Sequence, residues 1–408
     1  MCRRRALSAR RLATTRQALE QAPVSSARPS FKDGVTMQTR RIRGLRPFAF
    51  ALVLSLSATV PYATAGVAAA GGVYTMSNSA SGNAVIAYRR AADGSLTHIG
   101  DFATGGLGSG IPRLSTQGSV TLTSDHRWLL VTNVGSDDVS VFSIGPDATP
   151  TLVERQASAG DAPASVTVHG SLVYVLNQGN DRIVGFRLDS AGQLTRIPRA
   201  FARISHDADA AQVQFNPLGT ALVVTEKATN LIDTFAVRGD GRLGPRQITA
   251  SSGKTPFGLA FDTADHFVLT EAQEGVPGLA SASAYRLSPD ASLSVVSAAV
   301  RDFRTEVCWT VISKDGRYAY VTNFGSGDLS SYRINADGSI SLLQSIAAKT
   351  SDGFGPRDED FSDDGVYLYV IDIASRHVHA FIQNGDGTLE PAGAFGNLPL
   401  TVAGIAAY

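Results

Sequence analysis

The sequence has little cysteine and no apolar run long enough to cross a membrane. Cys2 and Cys308 are its two cysteines, and removal of an N-terminal leader would leave Cys308 alone, without a partner for an intramolecular disulfide. We interpret Cys308 as a small buried side chain beside Trp309. The apolar stretch Phe48–Val60 has 13 residues, whereas a membrane-spanning helix needs about 20. The sequence therefore predicts no disulfide framework and no stable membrane span once the leader is removed.

Several catalytic and binding signatures are also missing. The chain has no phosphate-binding P-loop, no GxSxG elbow and no HExxH metal motif. Its formal net charge is zero, but residues 1–66 carry 12 basic and 2 acidic residues, which leaves residues 67–408 with a net charge of −10. An acidic mature chain argues against nucleic acid as a partner, and we expect no cofactor.

The basic N-terminal part has the pattern of an export signal. Four arginines between residues 40 and 46 precede the apolar stretch Phe48–Val60. Small residues follow at Ala63 and Ala65, the positions that a signal peptidase reads. We therefore predict a basic extension or misassigned start over residues 1–36, a signal peptide over 37–70, and a periplasmic or secreted mature chain. A retained membrane anchor is the alternative.

The rest of the chain is built from a repeat. Each unit has an alternating apolar strand, a polar turn with Asn or Asp, a second strand that ends in an aromatic, then a Gly turn and a short third strand. The closing aromatics recur every 44–54 residues, at Tyr88, Phe142, Phe186, Phe235, Tyr285, Tyr332 and Phe381. Seven units of this length predict an all-β fold over residues 71–408, a seven-bladed β-propeller with four-stranded blades.

The first unit lacks its opening strand. It begins at Val73, in the middle strand, whereas residues 401–408 match an opening strand with nothing after it. We therefore predict that the C-terminal strand completes the first blade and closes the ring, which removes exposed sheet edges. Asp-Gly pairs such as Asp93-Gly94 and Asp337-Gly338 fit the tight hairpins between strands.

Two segments of the sequence resemble those of a known family. They are KDGRYAYVTNFGSGDLSSYRINADGSISLL and GPRDEDFSDDGVYLYVIDIASRHVHAFIQNGDGTLEP. They are similar to the seven-bladed lactonase family, which includes 6-phosphogluconolactonases and 3-carboxymuconate-cyclising enzymes. Residues 320–323 also spell the signature of the YVTN propeller repeats of surface and exported proteins. The first resemblance implies lactone hydrolysis or formation in the central channel. The second implies a propeller that binds partners.

The lactonase resemblance assigns catalytic residues only in part. Glu226 stands where the family has its glutamate, and Arg357 follows Pro356 as the family arginine does. Asp358 stands where the family places a histidine. His206, near Asp207 and Asp209, could be a general base for attack of water on an ester, a metal ligand or part of a polar loop. We therefore predict Glu226, His206 and Arg357 as candidate catalytic residues. A non-catalytic propeller that binds a ligand, sugar, metal or protein partner is the alternative that the missing histidine favours.

The residues themselves point to a ligand site at the end of the channel where the innermost strands begin. Asp358 and Asp360 share one strand face, where they could bind a polyhydroxylated ligand or a cation, serve as acid and base, or form a solvated, ion-paired rim. Glu271 ends a strand in the same manner as Glu226 (VLTEA, VVTEK), and we expect both to face the channel. Glu226 could instead form an exposed ion pair with Lys227.

Two further sets complete the candidates. Arg113 and Trp309 could line the channel, although Trp309 is equally suited to packing. His377 and His379 share a strand face at metal-ligand spacing. No third ligand lies near them, so we predict no metal site there. A small molecule in the central channel, or a protein, is the expected partner.

Overall fold

The computed structural model describes residues 70–112 and 114–408. The predicted leader and Arg113 lie outside this range. The described residues form 28 strands and two short 3-10 helices, Gln178–Asn180 and Gln273–Gly275. In chain order the strands are β1 (Gly71–Met76), β2 (Ala84–Arg90), β3 (Leu96–Ala103), β4 (Val120–Leu122), β5 (Trp128–Asn133), β6 (Asp138–Ile144), β7 (Pro150–Ala157), β8 (Pro163–His169), β9 (Leu172–Asn177), β10 (Arg182–Leu188), β11 (Leu194–Arg203), β12 (Ala210–Phe215), β13 (Ala221–Glu226), β14 (Leu231–Ala236), β15 (Gln247–Ala250), β16 (Pro256–Phe261), β17 (His266–Glu271), β18 (Ser281–Leu287), β19 (Leu293–Arg301), β20 (Val307–Ile312), β21 (Tyr318–Asn323), β22 (Asp328–Ile334), β23 (Ile340–Lys349), β24 (Pro356–Phe361), β25 (Tyr367–Asp372), β26 (His377–Gln383), β27 (Leu389–Phe395) and β28 (Ala403–Ala407).

The strands form seven four-stranded antiparallel sheets, as the repeat predicted. Six sheets use four consecutive strands, from β4–β7 to β24–β27, and the remaining one has the order β28-β1-β2-β3. We number the blades one to seven from this mixed sheet, so that β4–β7 is blade two and β24–β27 is blade seven. The innermost strands are β28, β4, β8, β12, β16, β20 and β24, and they surround the central channel.

The predicted ring closure is confirmed. β28 pairs with β1 through Val73 and Ala407, Tyr74 and Ala406, and Thr75 and Ile405. The Thr75 hydroxyl also donates a hydrogen bond of 3.2 Å to the Ala403 carbonyl. The last strand therefore supplies the innermost strand of blade one, and the ring has no unpaired end.

Burial follows the position of a strand within its blade. The second strand of a blade is buried on both faces, as in β13, all six residues of which are buried. The outermost strands consist mainly of exposed and half-buried residues, as in β7. A strand between two neighbouring blades needs apolar residues on both faces, whereas an outer strand has one face in water.

Tyrosines in the second strands tie neighbouring blades together. The Tyr369 hydroxyl of blade seven donates to the Gly94 carbonyl of blade one at 2.9 Å. Tyr320 of blade six donates to the Gly387 carbonyl of blade seven at 3.0 Å. Gly94 and Gly387 both follow aspartate in tight hairpins and have positive φ of 78° and 88°, so these two Asp-Gly turns also present carbonyls to the adjacent blade.

The connections between strands divide the propeller into two faces. Loops that enter the innermost strands lie at one end, called here the upper face, together with the loops between second and third strands. The other hairpins lie at the lower face, where the innermost strands end. Among the described residues, no helix is long and apolar enough to cross a membrane.

Candidate functional site

The connection between β3 and β4 enters the central channel from the upper face. Its residues 114–118, called here the crossing segment, belong to blade two but bond to strands across the channel. The Gln117 amide donates to the Thr310 carbonyl at 2.8 Å, and the Gln117 side-chain oxygen accepts from the Thr310 N–H at 3.2 Å. The Gln117 backbone N–H donates to the Ala211 carbonyl at 3.0 Å. One residue thus links blades two, four and six.

Three long side chains hold the same connection in place. The Trp309 indole N–H donates to the Thr116 carbonyl at 2.8 Å. The Lys227 ammonium donates to the Ser115 carbonyl at 2.5 Å. The Arg357 guanidinium donates to the Pro112 carbonyl and, at 3.0 Å, to the Val402 carbonyl. The crossing segment therefore separates an upper cavity, which Ser115 lines, from a lower cavity, which Gln117 and Gly118 line.

The upper cavity has a volume of about 350 Å³ and is mainly polar. Lys227 is its central cation, only 6% exposed, with its ammonium 3.3 Å from an Asp209 carboxylate oxygen and 5.1 Å from the Phe257 ring centre. The lining residues are Ser115, Asp209, Lys227, Ala228, Asn230, Thr255, Phe257, Ala272, Glu274, Gly275, Glu306 and Cys308.

The upper cavity combines one ammonium with three carboxylates, those of Asp209, Glu274 and Glu306. Cys308 is buried, as predicted, and its thiol donates to the Glu306 carbonyl at 3.3 Å. An ammonium can stabilise a developing oxyanion, and a carboxylate can accept a proton from water. The arrangement suits a small ligand with hydroxyl and carbonyl oxygens.

The lower cavity has a volume of about 380 Å³ and contains Asp358, Glu359 and Asp360 of β24. Burial raises the pKa of the Asp358 and Glu359 carboxyls well above their ordinary values. Burial also raises the pKa of Asp360 to about 6. The sequence predicted Asp358 and Asp360 at the upper opening of the channel, but the strand carries them past the crossing segment, so they line the lower cavity.

Glu226 lies inside blade four and is fully buried. Its carboxylate accepts from the Ser205 N–H at 2.9 Å and pairs with Arg246 at 2.9 Å. Burial alone would raise the pKa of Glu226, but hydrogen bonds from Ser205 and Thr229 outweigh it and lower the pKa. Asp233 shares Arg246 at 2.5 Å, and burial raises the pKa of Asp233 to about 7. The Glu226 carboxylate pairs with Arg246, and Lys227 is buried, so the exposed Glu226–Lys227 pair does not form.

Glu271, at the corresponding point of blade five, is also fully buried. Burial raises its pKa, although hydrogen bonds from Ser283 and Ser281 oppose the rise. Ser283 donates at 2.6 Å, Ser281 at 2.7 Å and the Gly253 N–H at 2.7 Å. Neither Glu226 nor Glu271 lines the upper or the lower cavity. Their equivalent positions follow from the repeat, but their oxygens face donors within the sheets rather than the channel.

Arg357 and Trp309, two more of the predicted site residues, have structural roles at the channel. Arg357 is 1% exposed, with its guanidinium carbon 5.8 Å from the Phe324 ring centre. Trp309 is 1% exposed and packs on Phe257 with ring centres 5.0 Å apart. Both hold the connection that carries the crossing segment. Trp309 therefore packs and also touches the channel through its N–H.

The predicted histidines lie away from both cavities. His206 is 91% exposed in its side chain and is 3.5 Å from carboxylate oxygens of Asp181 and Asp207. Ligand atoms of these three residues fall within 4.8 Å of one another. His379 accepts or donates a hydrogen bond of 2.8 Å with Ser375 and stacks on Phe381. Burial lowers the pKa of His379, and the ring centres of His377 and His379 are 6.3 Å apart.

Sequence reasoning did not find the crossing segment or the upper cavity around Lys227. The length of one repeat unit did indicate the crossing segment. The spacing from Tyr88 to Phe142 is 54 residues, the longest in the repeat, and the excess lies in the connection between β3 and β4. No local pattern showed that this connection turns inward.

Comparison with known proteins agrees with this architecture. Residues 68–205 match the family model described as Lactonase, 7-bladed beta-propeller. A candidate 6-phosphogluconolactonase of Bacteroides fragilis has a similar structure, with a TM-score of 0.65 and 17% sequence identity over 83% of this chain and 98% of that protein. A periplasmic gluconolactonase of Pseudomonas aeruginosa gives a TM-score of 0.66 and 16% identity over 83% and 98%. No curated protein matches this chain in sequence.

The fold defines a closed seven-bladed propeller with two cavities at its channel. Within that class the chain resembles the seven-bladed lactonases. The family match lies in residues 68–205, and the structural likeness extends over the whole ring. At 16–17% identity the solved structures establish the fold alone.

Proposed function

We propose that the protein binds a small polyhydroxylated lactone in the upper cavity and hydrolyses it. One observation supports this most strongly. A buried lysine stands among three carboxylates in a cavity of about 350 Å³ beside the channel. The names of the structural relatives, a gluconolactonase and a candidate 6-phosphogluconolactonase, suggest a sugar-acid lactone as the substrate class.

The proposed reaction adds water across the ring ester. Glu306 or Asp209 accepts a proton from water, whose oxygen attacks the lactone carbonyl carbon. The Lys227 ammonium stabilises the oxyanion that forms on the carbonyl oxygen. The carbon–oxygen bond of the ring then breaks, the leaving alkoxide takes the proton back, and the product is a hydroxy acid.

Glu226 and Arg357 act as positioning residues in this proposal. Glu226 precedes Lys227 at the end of β13 and is fixed by Arg246. Arg357 holds the connection that contains Ser115 through the Pro112 carbonyl. His206, exposed at the upper face, has no contact with the upper cavity and is not given a role in the reaction.

The test is acid release from a panel of sugar-acid lactones, followed by a pH indicator and corrected for spontaneous hydrolysis. We expect Lys227→Met to lower kcat/KM by about 10²- to 10³-fold, as loss of an oxyanion donor does. Lys349→Met is the matched control, because that lysine is exposed, outside the upper cavity, and pairs with exposed Asp352 at 3.6 Å. Wild type that releases no acid above the blank, or Lys227→Met with full activity, would contradict the proposal.

A non-catalytic binding propeller is the second candidate. The internal bonds of Glu226 and Arg357 favour it, because neither residue lines the upper cavity where a substrate would bind. Calorimetric titration with the hydroxy acid would separate the two. Binding that Lys227→Met weakens, without any lactone turnover by wild type, would assign the cavity to recognition alone.

We also propose that the chain is exported through residues 37–70. The supports are the arginine-rich start, the apolar stretch Phe48–Val60 and the small residues before residue 66. Mass spectrometry of the mature N-terminus after expression and cell fractionation tests this. We expect cleavage after Ala65 or Ala70 and a periplasmic or secreted product. An intact N-terminus in the cytoplasmic fraction would overturn the proposal.

A further inference from the structure

The lower cavity contains three consecutive acidic residues that the proposed hydrolysis does not use. Asp358 and Glu359 are 3% and 2% exposed, and both line the cavity with Asp360. An ionised carboxylate at such depth is unfavourable unless hydrogen bonds or a cation compensate for the lost water. The question is therefore which groups compensate here.

The protein supplies backbone donors to both oxygens of Asp360 and to one oxygen of Asp358, Oδ1, which accepts from the Glu359 N–H at 3.1 Å. Asp360 accepts from the Phe361 N–H and the Ala407 N–H, both at 2.9 Å. Among the described residues, neither oxygen of Glu359 has a hydrogen-bond partner, and Oδ2 of Asp358 has none. Glu226 and Glu271 are as deeply buried, and hydrogen bonds serve both of their oxygens. Glu359 thus differs from Glu226 and Glu271.

The side chains next to Glu359 in the sequence are also acidic. Asp358 and Asp360 flank it and line the same cavity. Lys314 and His126 line the exposed part of the cavity, where Lys314 pairs with Asp363 at 3.5 Å and the His126 ring lies 2.9 Å from Asp363. Among the described lining residues, no lysine or arginine other than Lys314 is present to pair with Glu359.

The cavity offers further oxygen ligands and enough room. Side chains of Thr121, Gln212, Gln214 and Thr310 line it, and the edges of innermost strands present backbone carbonyls to a channel. A volume of about 380 Å³ holds an ion with several waters, at about 30 Å³ for each water. Carboxylate, amide and carbonyl oxygens are the ligands of hard divalent cations.

We propose that the lower cavity binds one hard divalent cation of the calcium or magnesium class, held by the carboxylates of Glu359 and Asp358. Asp360 takes part as a charge near the ion, since backbone N–H groups already occupy its oxygens. Waters and the amide side chains complete the coordination. The ion enters from the lower face, past Lys314 and Asp363.

A competing group lies on the upper face. The ligand atoms of Asp181, His206 and Asp207 come within 4.8 Å of one another. These side chains are more accessible, and Asp181 already accepts from the Asp207 N–H at 2.9 Å and the Ala208 N–H at 3.3 Å. An experiment must therefore separate the two places, and Asp181→Asn is the matched variant.

The test is calorimetric titration of the EDTA-treated full-length protein with CaCl₂ and, separately, with MgCl₂. We expect one ion per chain and a higher melting temperature with the ion than with EDTA. Glu359→Gln should weaken the affinity at least tenfold, Asp358→Asn should weaken it in the same direction, and Asp181→Asn should leave it unchanged. Circular dichroism confirms that each variant folds.

Three results would overturn the proposal. The first is wild type that binds neither ion, which would mean that protons alone neutralise the buried acids. The second is loss of binding in Asp181→Asn with full binding in Glu359→Gln. The third is no change in melting temperature when the ion replaces EDTA. The titration contains no lactone, so its outcome is independent of the proposed hydrolysis.

Discussion

At the scale of single residues, the propeller contains buried carboxyls in contrasting states. Glu226 has a lowered pKa because hydrogen bonds outweigh its burial. Asp302 accepts from the Arg304 N–H at 2.8 Å and the Ser330 hydroxyl at 3.1 Å, yet burial raises its pKa to about 6. The pKa of a buried acid in this ring therefore follows from the balance between the loss of water on burial and the hydrogen bonds that its oxygens accept.

The surroundings of Asp302 lead to a prediction about how the unfolding free energy depends on pH. Its folded-state pKa of about 6 lies above the ordinary value of 3.8, so its contribution to stability is full below pH 3.8 and is lost as the pH rises through 6. Asp302→Asn should reduce the fall in unfolding free energy between pH 4 and pH 7.5 by up to about 3 kcal/mol. Urea unfolding at both pH values, in EDTA, measures this.

The control for that experiment is Asp352→Asn, whose side chain is fully exposed. This variant should keep the pH dependence of wild type. If Asp302→Asn also keeps it, the buried carboxyl of Asp302 does not titrate in the range that its surroundings imply.

At the scale of strands, the short strand β28 closes the ring. Five residues supply the innermost strand of blade one, and Val402 and Ile405 beside and within it are 0% and 5% exposed. Burial of each such side chain contributes about 1.5–3 kcal/mol. The strand also ends the ring, so its loss exposes the edge of β1.

Removal of residues 401–408 should therefore lower the unfolding free energy by at least about 3 kcal/mol and promote association through the exposed edge of β1. Thermal unfolding and size-exclusion chromatography measure the two effects. Removal of Tyr408 alone is the control, because it leaves the ladder between Val73 and Ala407 in place. A truncated chain as stable and monomeric as the full chain would show that closure does not depend on β28.

At the scale of the whole molecule, the crossing segment makes the channel into two separate cavities. Its central contact is Gln117, which satisfies both backbone groups of Thr310 across the channel. Gly258 leaves space for it, since a Cβ at that position would lie 2.0 Å from the Gln117 side-chain oxygen. A small residue in blade five thus permits a residue of blade two to reach blade six.

Gln117→Ala should leave buried backbone groups of Thr310 without partners and cost about 1–3 kcal/mol of stability. The amides of residues 116–118 should then exchange their hydrogens faster, because the crossing segment loses its anchor. Hydrogen exchange with mass spectrometry, beside urea unfolding, measures both. Gln193→Ala, at an exposed position, should change neither. Unchanged exchange in Gln117→Ala would show that Trp309, Lys227 and Arg357 hold the segment without it.

The sequence by itself determined the architecture of the described chain. The repeat of closing aromatics predicted seven blades, and the truncated first unit predicted closure by the last strand. Both features are periodic and local, since alternation along a strand and Asp-Gly turns act between residues close in the chain. The resemblance to the seven-bladed lactonases implied the same fold, and the structure has that fold.

Tertiary structure alone decided which side chains meet. Glu226 and Glu271 occupy equivalent points of the repeat, yet their oxygens meet donors inside the blades. Lys227, next to Glu226 in sequence, faces the upper cavity instead. Asp358 and Glu359 lie below a segment that starts more than 200 residues earlier in the chain. The repeat determines where each strand lies. The crossing segment determines which side chains line each cavity of the channel. Its contacts join residues far apart in the sequence, so the sequence pattern did not show them.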